Sequence, residues 1–560
     1  MHDKKGAGAP GTGTPKTVDA VIVGAGFSGL YMLYRLRDLL GLKAVVVEAA
    51  DGVGGTWYWN RYPGARCDIP SVHYSYSFDD QLEQEWEWSE KYPAQAEILA
   101  YLNHVADRFD LRRDIEFETR VTSAHYDEAA QRWIVGTDKG ETFSASYFVA
   151  ASGVLSSANV PKFKNDDKFA GEKYYSFAWP KDGVSFKGKR VGIIGTGATA
   201  IQIIPVVAKE VAHLTIFQRT ANYTAPLQNE PLTKEERRAT KAKYREYRRQ
   251  CWNAFAGVPF PAAGPSAIAV SEEERRKKYE ECWKEGGFTL WLGSYQDLLM
   301  NPESNETAAE FVREKIRARV KDPAVAELLC PPKGVAYGTK RQPCETNFYE
   351  AFNQDNVSLV DIKKHPIEEF TATGIRTADG KLHEFDCLIY ATGFDAFTGP
   401  LFKMDIRGRG GQPLKDAWAA GPRTFLGLGT HGFPNLFIIT GPMSPSVLFN
   451  MPLGIEQNCE WVSDCIEFMQ VNGMGAIEAN TDAEDRWIAH VEQVGAHTLL
   501  PKAESWYLGA NIPGKPRVLM VYLGGGKRYK LECDEVALNG YQGFTLTPVK
   551  AKKALAQAQA

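Results

Sequence analysis

The sequence predicts an α/β fold with two Rossmann-like dinucleotide-binding domains and a helical insertion. Two glycine-rich turns carry that prediction, Gly24-Ala25-Gly26-Phe27-Ser28-Gly29 and Gly195-Thr196-Gly197-Ala198-Thr199-Ala200. Each stands between an apolar strand and a segment of helical spacing, the context the fingerprint requires. The strands that follow them end on opposite charges, Glu48 and Arg219.

In the first unit, Asp19 to Val23 enters the turn, Leu30 to Leu40 reads as helix, and Lys43 to Val47 stops at Glu48. A carboxylate there accepts hydrogen bonds from a free ribose 2′-hydroxyl, as in FAD or NAD. In the second, Lys189 to Ile194 enters the turn, Ile201 to Val211 reads as helix, and Leu214 to Gln218 stops at Arg219. A guanidinium there favours a 2′-phosphate, as in NADPH. Ala200 takes the place of the third glycine, which the fingerprint permits. In both units the helix N-terminus presents backbone amides to a pyrophosphate. The contrast implies one chain holding FAD and NADP(H).

A chain of 560 residues is too long for one core. The boundaries read as a disordered leader (1–16), an FAD-binding domain (17–150 and 391–545), an NADP-binding domain (151–222 and 332–390), a helical insertion (223–331) and a tail (546–560). The insertion is marked by Lys/Glu-rich runs such as Glu272 to Lys278, which read as solvated helix faces. Asp386 to Gly393 reads as a strand entering a small-residue turn, and Val149 to Gly153 resembles it.

Apolar content of 44%, charged content of 24% and net charge −4 are ordinary globular values. They give no sign of nucleic-acid or anionic-membrane binding. No run of 18 apolar residues suggests a membrane span. Met1 to Lys16 lacks the apolar core of a signal peptide. Nine scattered cysteines without a CxxC pair suggest reduced thiols and a cytoplasmic protein, and no zinc-ligand spacing appears. The expected assembly is a monomer or weak dimer.

Soon after Glu48 comes Gly54-Gly55-Thr56-Trp57-Tyr58-Trp59-Asn60-Arg61-Tyr62-Pro63-Gly64-Ala65-Arg66-Cys67-Asp68. Its glycines allow close backbone approach to a cofactor, and its aromatics can cover a planar ring. Asp68, flanked in sequence by Arg61 and Arg66, is expected to stay ionised. From the residues alone this is a flavin-facing loop or an ordinary aromatic-rich loop with a surface ion pair.

This segment resembles throughout a signature of the type I Baeyer–Villiger monooxygenases: small-Gly-x-Trp, four residues, aromatic-Pro-Gly, three residues, Asp. The resemblance runs from about Val18 to Phe544 and includes Tyr337-Gly338-Thr339-Lys340-Arg341, Ala391 to Asp395 and Ser505 to Lys515. The loop Gly441 to Met451 looks most like the phenylacetone monooxygenase subgroup. The family's other fingerprint, Phe-x-Gly-x-x-x-His-x-x-x-Trp-Pro, is met by Phe169, Gly171, Trp179 and Pro180, but Tyr175 stands in the histidine's place. Tyrosine keeps a ring and a hydrogen-bonding tip yet does not become a cation near neutral pH. The departure bears on the coupling between NADPH use and oxygenation.

The resemblance implies an NADPH- and O2-dependent flavin monooxygenase. It would insert one oxygen next to a ketone carbonyl, giving an ester or lactone, through a C4a-peroxyflavin stabilised by Arg341. Asp68 is implied as the partner of Arg341. Gly55, Thr56, Trp57, Tyr62, Ala391 and Thr392 are implied at the flavin. Arg219, Thr220 and Lys340 are implied at the 2′-phosphate, Trp506 near the nicotinamide cofactor, and Leu448, Phe449 and Met451 around a small hydrophobic ketone. On its residue type alone, Arg341 serves equally well as a cofactor-phosphate ligand. The alternative activity is a flavin N- or S-oxygenase of the same fold. A disulfide reductase would require the redox CxxC that the chain lacks.

Overall fold

A computed structural model describes residues 14–550. Two sheets organise them. In the larger, Thr142–Ala150 lies parallel to Lys16–Val23, which in turn pairs with Ala44–Val47 and through it with Ile115–Glu116. The strand Thr142–Ala150 is long enough to hold two neighbours on its other edge. Arg132–Thr137 pairs antiparallel near its start, and Leu436–Ile438 pairs parallel at Phe148 to Ala150. Val121–Asp127 and Asp405–Arg407 complete the sheet.

The second sheet is parallel throughout, in the order Val357–Asp361, His213–Gln218, Arg190–Ile194, Cys387–Tyr390, Glu172–Tyr175. The strand entering the second glycine turn is therefore central, where the order reverses. In open α/β sheets ligands bind at such a switch point.

The helices start earlier than their apolar spacing suggests. Phe27–Tyr34 begins directly after Gly26, and Ala198–Val207 directly after Gly197. The last residues of each glycine motif form the first helical turn, so apolar periodicity alone sets the start too late. Helix Met451–Val471 packs on the first of these helices through Cys459, Val462 and Ile466, within the same core as Leu30 and Leu33.

The insertion is helical, with Lys234–Lys241, Tyr244–Asn253, Glu272–Glu285, Pro302–Arg319 and Pro323–Leu329. Thr233 and Ser271 form capping boxes, and Asn301 and Asp322 cap helices that begin on proline. Its apolar faces do not form a separate core. Tyr279, Phe288, Phe311 and Ile316 pack in one cluster with Ile201 and Ile204 of the helix Ala198–Val207 and Leu214 of the second sheet. The run Glu272 to Lys278 is largely solvated, but its helix goes on to bury Tyr279 and Cys282.

Two terminal expectations need correction. Lys16 opens a strand instead of ending a leader, because it pairs with Phe143 and its ammonium meets Glu141 at 3.1 Å. The chain from 546 is not simply a tail, because Phe544–Pro548 pairs antiparallel with Met474–Ala479. The Ala/Lys/Gln-rich end, 551–560, lies outside the described residues. Among the described residues no helix is long and apolar enough to cross a membrane, and no His/Cys/Asp/Glu group could hold a metal.

One buried carboxyl gives a test of the packing. Glu456 is 3% exposed and accepts bonds from the Ser77 amide (2.6 Å), the Ser77 hydroxyl (2.5 Å) and the Phe78 amide (3.0 Å). Burial pushes its pKa up to about 7. A raised carboxyl takes up a proton on folding, so its contribution to stability falls as pH rises from the unfolded value toward 7. Glu456→Gln keeps the two amide bonds on Oε1 and donates to the Ser77 hydroxyl. Thermal or denaturant unfolding should find the variant stabilised by about 1–3 kcal/mol above pH 7, with the gain gone below about pH 4.5.

Candidate active site

The first glycine turn is a close approach of two backbones. Gly24 has φ +100°, and a Cβ on Gly29 would lie 1.7 Å from the Gly24 carbonyl oxygen. A Cβ on Gly55, whose φ is +52°, would lie 2.9 Å from the Cα of Gly26. The loop carrying Gly55, Thr56 and Trp57 is thus laid directly against the turn. Glu48, 4% exposed, braces it: its two carboxylate oxygens accept the Ala25 amide at 2.7 Å and the Ala50 amide at 2.8 Å. Burial raises its pKa, and these amides oppose the rise. Helix Phe27–Tyr34 has neither a side-chain cap nor an acid in its first turn, which leaves its leading amides unclaimed. That donor set fits a pyrophosphate.

The second turn repeats the arrangement. Gly195 has φ +114°, and a Cβ there would lie 2.4 Å from the Ala391 carbonyl oxygen. Helix Ala198–Val207 is likewise uncapped and has no acid in its first turn. Thr196 Oγ1 donates to the Thr220 carbonyl at 3.3 Å, tying the turn to the strand end that carries Arg219. Arg219 and Thr220 are exposed, and Lys340 is half-buried nearby. Burial and the Arg219 charge both lower the Lys340 pKa. Among the described residues neither cation has a salt-bridge partner, so the pair fits a phosphate dianion.

Asp68 and Arg341 meet between these units, with Arg341 Nη2 donating to Asp68 Oδ2 at 3.0 Å. The Asp68 side chain is 5% exposed, and among the described residues its Oδ1 meets no hydrogen-bond donor at bonding distance. The Arg341 side chain stays 34% open although its surroundings strip much of its water, so it faces a cleft. Burial raises the Asp68 pKa and the Arg341 charge opposes the rise, while Asp68 raises that of Arg341. The expected flanking cations point elsewhere. Arg61 Nε donates to the Tyr58 carbonyl at 2.8 Å, and Arg66 pairs with Glu90 and the Tyr92 carbonyl. Asp68 therefore depends on a distant arginine instead of its sequence neighbours.

Several groups around this pair are not evident from sequence. Gln202, on the helix of the second turn, accepts from the Tyr62 hydroxyl at 3.1 Å and donates to the Arg66 carbonyl at 3.0 Å. Gly64 packs there too: its Cβ would lie 2.4 Å from the Gln202 carbonyl oxygen. Phe288 of the insertion lies under the Arg341 guanidinium, 5.8 Å from ring centroid to Cζ. Tyr507 is fully buried, its hydroxyl has no hydrogen-bond partner among the described residues, and its phenol feels the Arg341 charge. Tyr507 follows Trp506 directly, the one sequence signal that could have found it.

Trp57 is buried in the first core and donates to the Tyr74 hydroxyl at 3.2 Å. Ala391 and Thr392 form a crossing between the sheets, where Thr392 Oγ1 donates to the Asn159 carbonyl at 2.6 Å. Trp506 stacks on Phe397 at 6.0 Å. Leu448 touches the cores of both sheets, and Met451 is half-buried. Phe449 does not join them in an open pocket. It is 7% exposed, packed with Trp252, Cys251 and Leu453. Of the fingerprint residues, Phe169 and Trp179 are core, and Gly171 leaves room for the Asp386 carbonyl and the Phe169 ring. Tyr175 lies at the edge strand, stacked on Tyr390.

Residues 21–250 match the family described as pyridine nucleotide-disulphide oxidoreductase. A Baeyer-Villiger monooxygenase of Pseudooceanicola batsensis is 44% identical, over 93% of this chain and 95% of that protein. A phenazine N-monooxygenase of Lysobacter antibioticus is 42% identical, over 94% and 97%. Among solved structures, an oxidized steroid monooxygenase bound to NADP is 51% identical with TM-score 0.90, covering 95% of this chain and all of that one. OTEMO in complex with FAD and NADP is 43% identical with TM-score 0.92 and the same coverage. The fold, the paired turns and these relatives together define a two-dinucleotide flavoprotein oxygenase. Within that class, the chain belongs to the Baeyer–Villiger monooxygenase family.

Gly29→Ala tests the first turn. The added methyl cannot coexist with the Gly24 carbonyl, so the turn must open. The purified variant should lack the visible flavin absorbance of the parent protein.

Proposed function

We propose that this chain inserts one atom of O2 beside the carbonyl of a hydrophobic ketone, with the second atom leaving as water and NADPH as reductant. The product is an ester or lactone. The observation that carries this reading is the Arg341–Asp68 pair, buried on the Asp68 side and open on the Arg341 side, between two dinucleotide turns.

FAD is held by the first turn with Glu48, the Gly55–Trp57 loop and the Ala391–Thr392 crossing, within residues 17–150 and 391–545. NADP(H) is held by the second turn with Arg219, Thr220 and Lys340, within 151–222 and 332–390. Bound FAD, reduced by NADPH, supplies the activation of O2. Arg341 then holds the negative charge that develops on the reacting oxygens. A guanidinium stays charged at any working pH and keeps several directed donors. Asp68 occupies one of them, Nη2, and so orients the rest toward the cleft. Fixed stabilisation of this kind contributes about 3–4 kcal/mol, by analogy with oxyanion holes. Leu448 and Met451 offer apolar walls, which support a hydrophobic substrate. Nine unpaired, buried cysteines support a reducing, cytoplasmic setting.

NADPH consumption against cyclic, aryl and steroid ketones, and against phenazine, with products read by mass spectrometry, tests the reading. Ketone-dependent formation of a product one oxygen heavier, an ester or lactone, is expected. Hydrogen peroxide as the sole product on every ketone sinks it, and an N-oxide from phenazine without any ester moves the activity to N-oxygenation. Arg341→Ala should cut ester formation by about 10²–10³-fold. Its stability should hold well enough for bound FAD to be seen spectroscopically.

A further inference from the structure

Tyr175 is the one fingerprint position at which the chain departs from its family, and no step above uses it. It ends the edge strand Glu172–Tyr175 and sits directly opposite Tyr390 in the ladder. The two rings are stacked, with centroids 4.9 Å apart and planes at 18°. Phe177 packs on Tyr175 at 5.5 Å. Among the described residues the Tyr175 hydroxyl has no hydrogen-bond partner.

Tyr390 pairs on its other side with Ile194, the residue before Gly195. The next residue, Ala391, donates its amide to the Ile194 carbonyl at 3.0 Å. Its own carbonyl is the oxygen that a Cβ on Gly195 would meet at 2.4 Å. The stacked ring thus backs the strand end that forms the floor of the second glycine turn.

We propose that Tyr175 is a positioning residue that fixes the floor of the second glycine turn by stacking on Tyr390, with its ring and not its hydroxyl carrying the effect. This rests on the reading of that turn as the NADPH site. Without the stack, the turn spends less time in the binding geometry, and apparent affinity falls by that fraction. The worth of an aromatic pair sets the expected loss at about three- to tenfold.

The test uses the FAD-loaded enzyme and its Tyr175→Phe and Tyr175→Leu variants. NADPH KM and kcat are measured, together with NADP+ affinity from perturbation of the flavin absorption. Tyr175→Leu should raise KM and Kd by about three- to tenfold while kcat changes by less than about twofold. Tyr175→Phe should restore both constants to within about twofold of the parent. Parent-like constants in Tyr175→Leu overturn the proposal, as does a Tyr175→Phe as impaired as Tyr175→Leu. Should the leucine variant not fold, Tyr175→His takes its place, with its smaller ring giving a KM raised by about threefold. A histidine KM at or below that of Tyr175→Phe overturns the proposal. A parent enzyme that binds no NADP+ overturns the reading of the turn itself.

Discussion

Two charges 273 positions apart in the chain meet in a site where, among the described residues, neither has another salt-bridge partner. A carboxylate as buried as Asp68 is costly unless a cation answers it. Removing one member of such a pair typically costs about 3–5 kcal/mol. The fold must therefore bring the Gly54–Asp68 loop and the Tyr337–Arg341 segment together, and each is held independently. Gln202 and Gly64 dock the first onto the helix of the second turn. The second is fixed where the Tyr337 amide donates to Asn305 Oδ1 at 2.7 Å and Asn305 Nδ2 donates back to the Tyr337 carbonyl at 2.8 Å.

Asn305 belongs to the insertion, and so does Phe288. The insertion is thus a structural part of the site. Its core is continuous with that of the second sheet, and it also reaches the loop that carries Leu448 and Phe449. The Asn450 amide donates to the Ala256 carbonyl at 2.9 Å, and Trp252 packs on Phe449 at 5.8 Å. Arg248, buried, donates to Glu83 at 2.7 Å and to the Ser75 hydroxyl and Tyr76 carbonyl at 2.9 Å each. Those bonds anchor one insertion helix to the segment that leads away from Asp68.

The sequence reveals what local backbone chemistry determines. The glycine turns are legible because Gly24 and Gly195 adopt positive φ and Gly29 admits no Cβ, and Glu48 and Arg219 because strand ends are. The Asp68–Arg341 pair is legible only through a family resemblance, since no spacing links those positions. Gln202 and Phe288 are illegible, because their contacts join segments far apart in sequence and follow no period. Sequence neighbourhood misleads at Asp68: the short helix Thr56–Trp59 lets Arg61 hook back to Tyr58, and Arg66 turns to Glu90. The strand Phe544–Pro548 is half-buried or exposed along its length and shows no clean alternation, so it reads as tail.

The two nucleotide turns share a plan but differ in how far they are prepared. At the first, the buried Glu48 holds the Ala25 amide of the glycine turn and the Ala50 amide beyond its own strand end, so the protein itself braces the cradle. At the second, the corresponding charge is exposed; burial and the Arg219 charge lower the Lys340 pKa, and the Glu504 carboxylate offsets them only in part. A preformed cradle loses little order on binding, which favours a cofactor that stays. A site whose cations an arriving dianion relieves further suits a nucleotide that must come and go with each turnover. On the proposed assignment, the first turn is built as a resident site and the second as an exchange site. The loop bearing Asp68 joins them, because it touches the first turn through Gly55 and the helix of the second through Gln202. The geometry around Arg341 therefore depends on both sites at once.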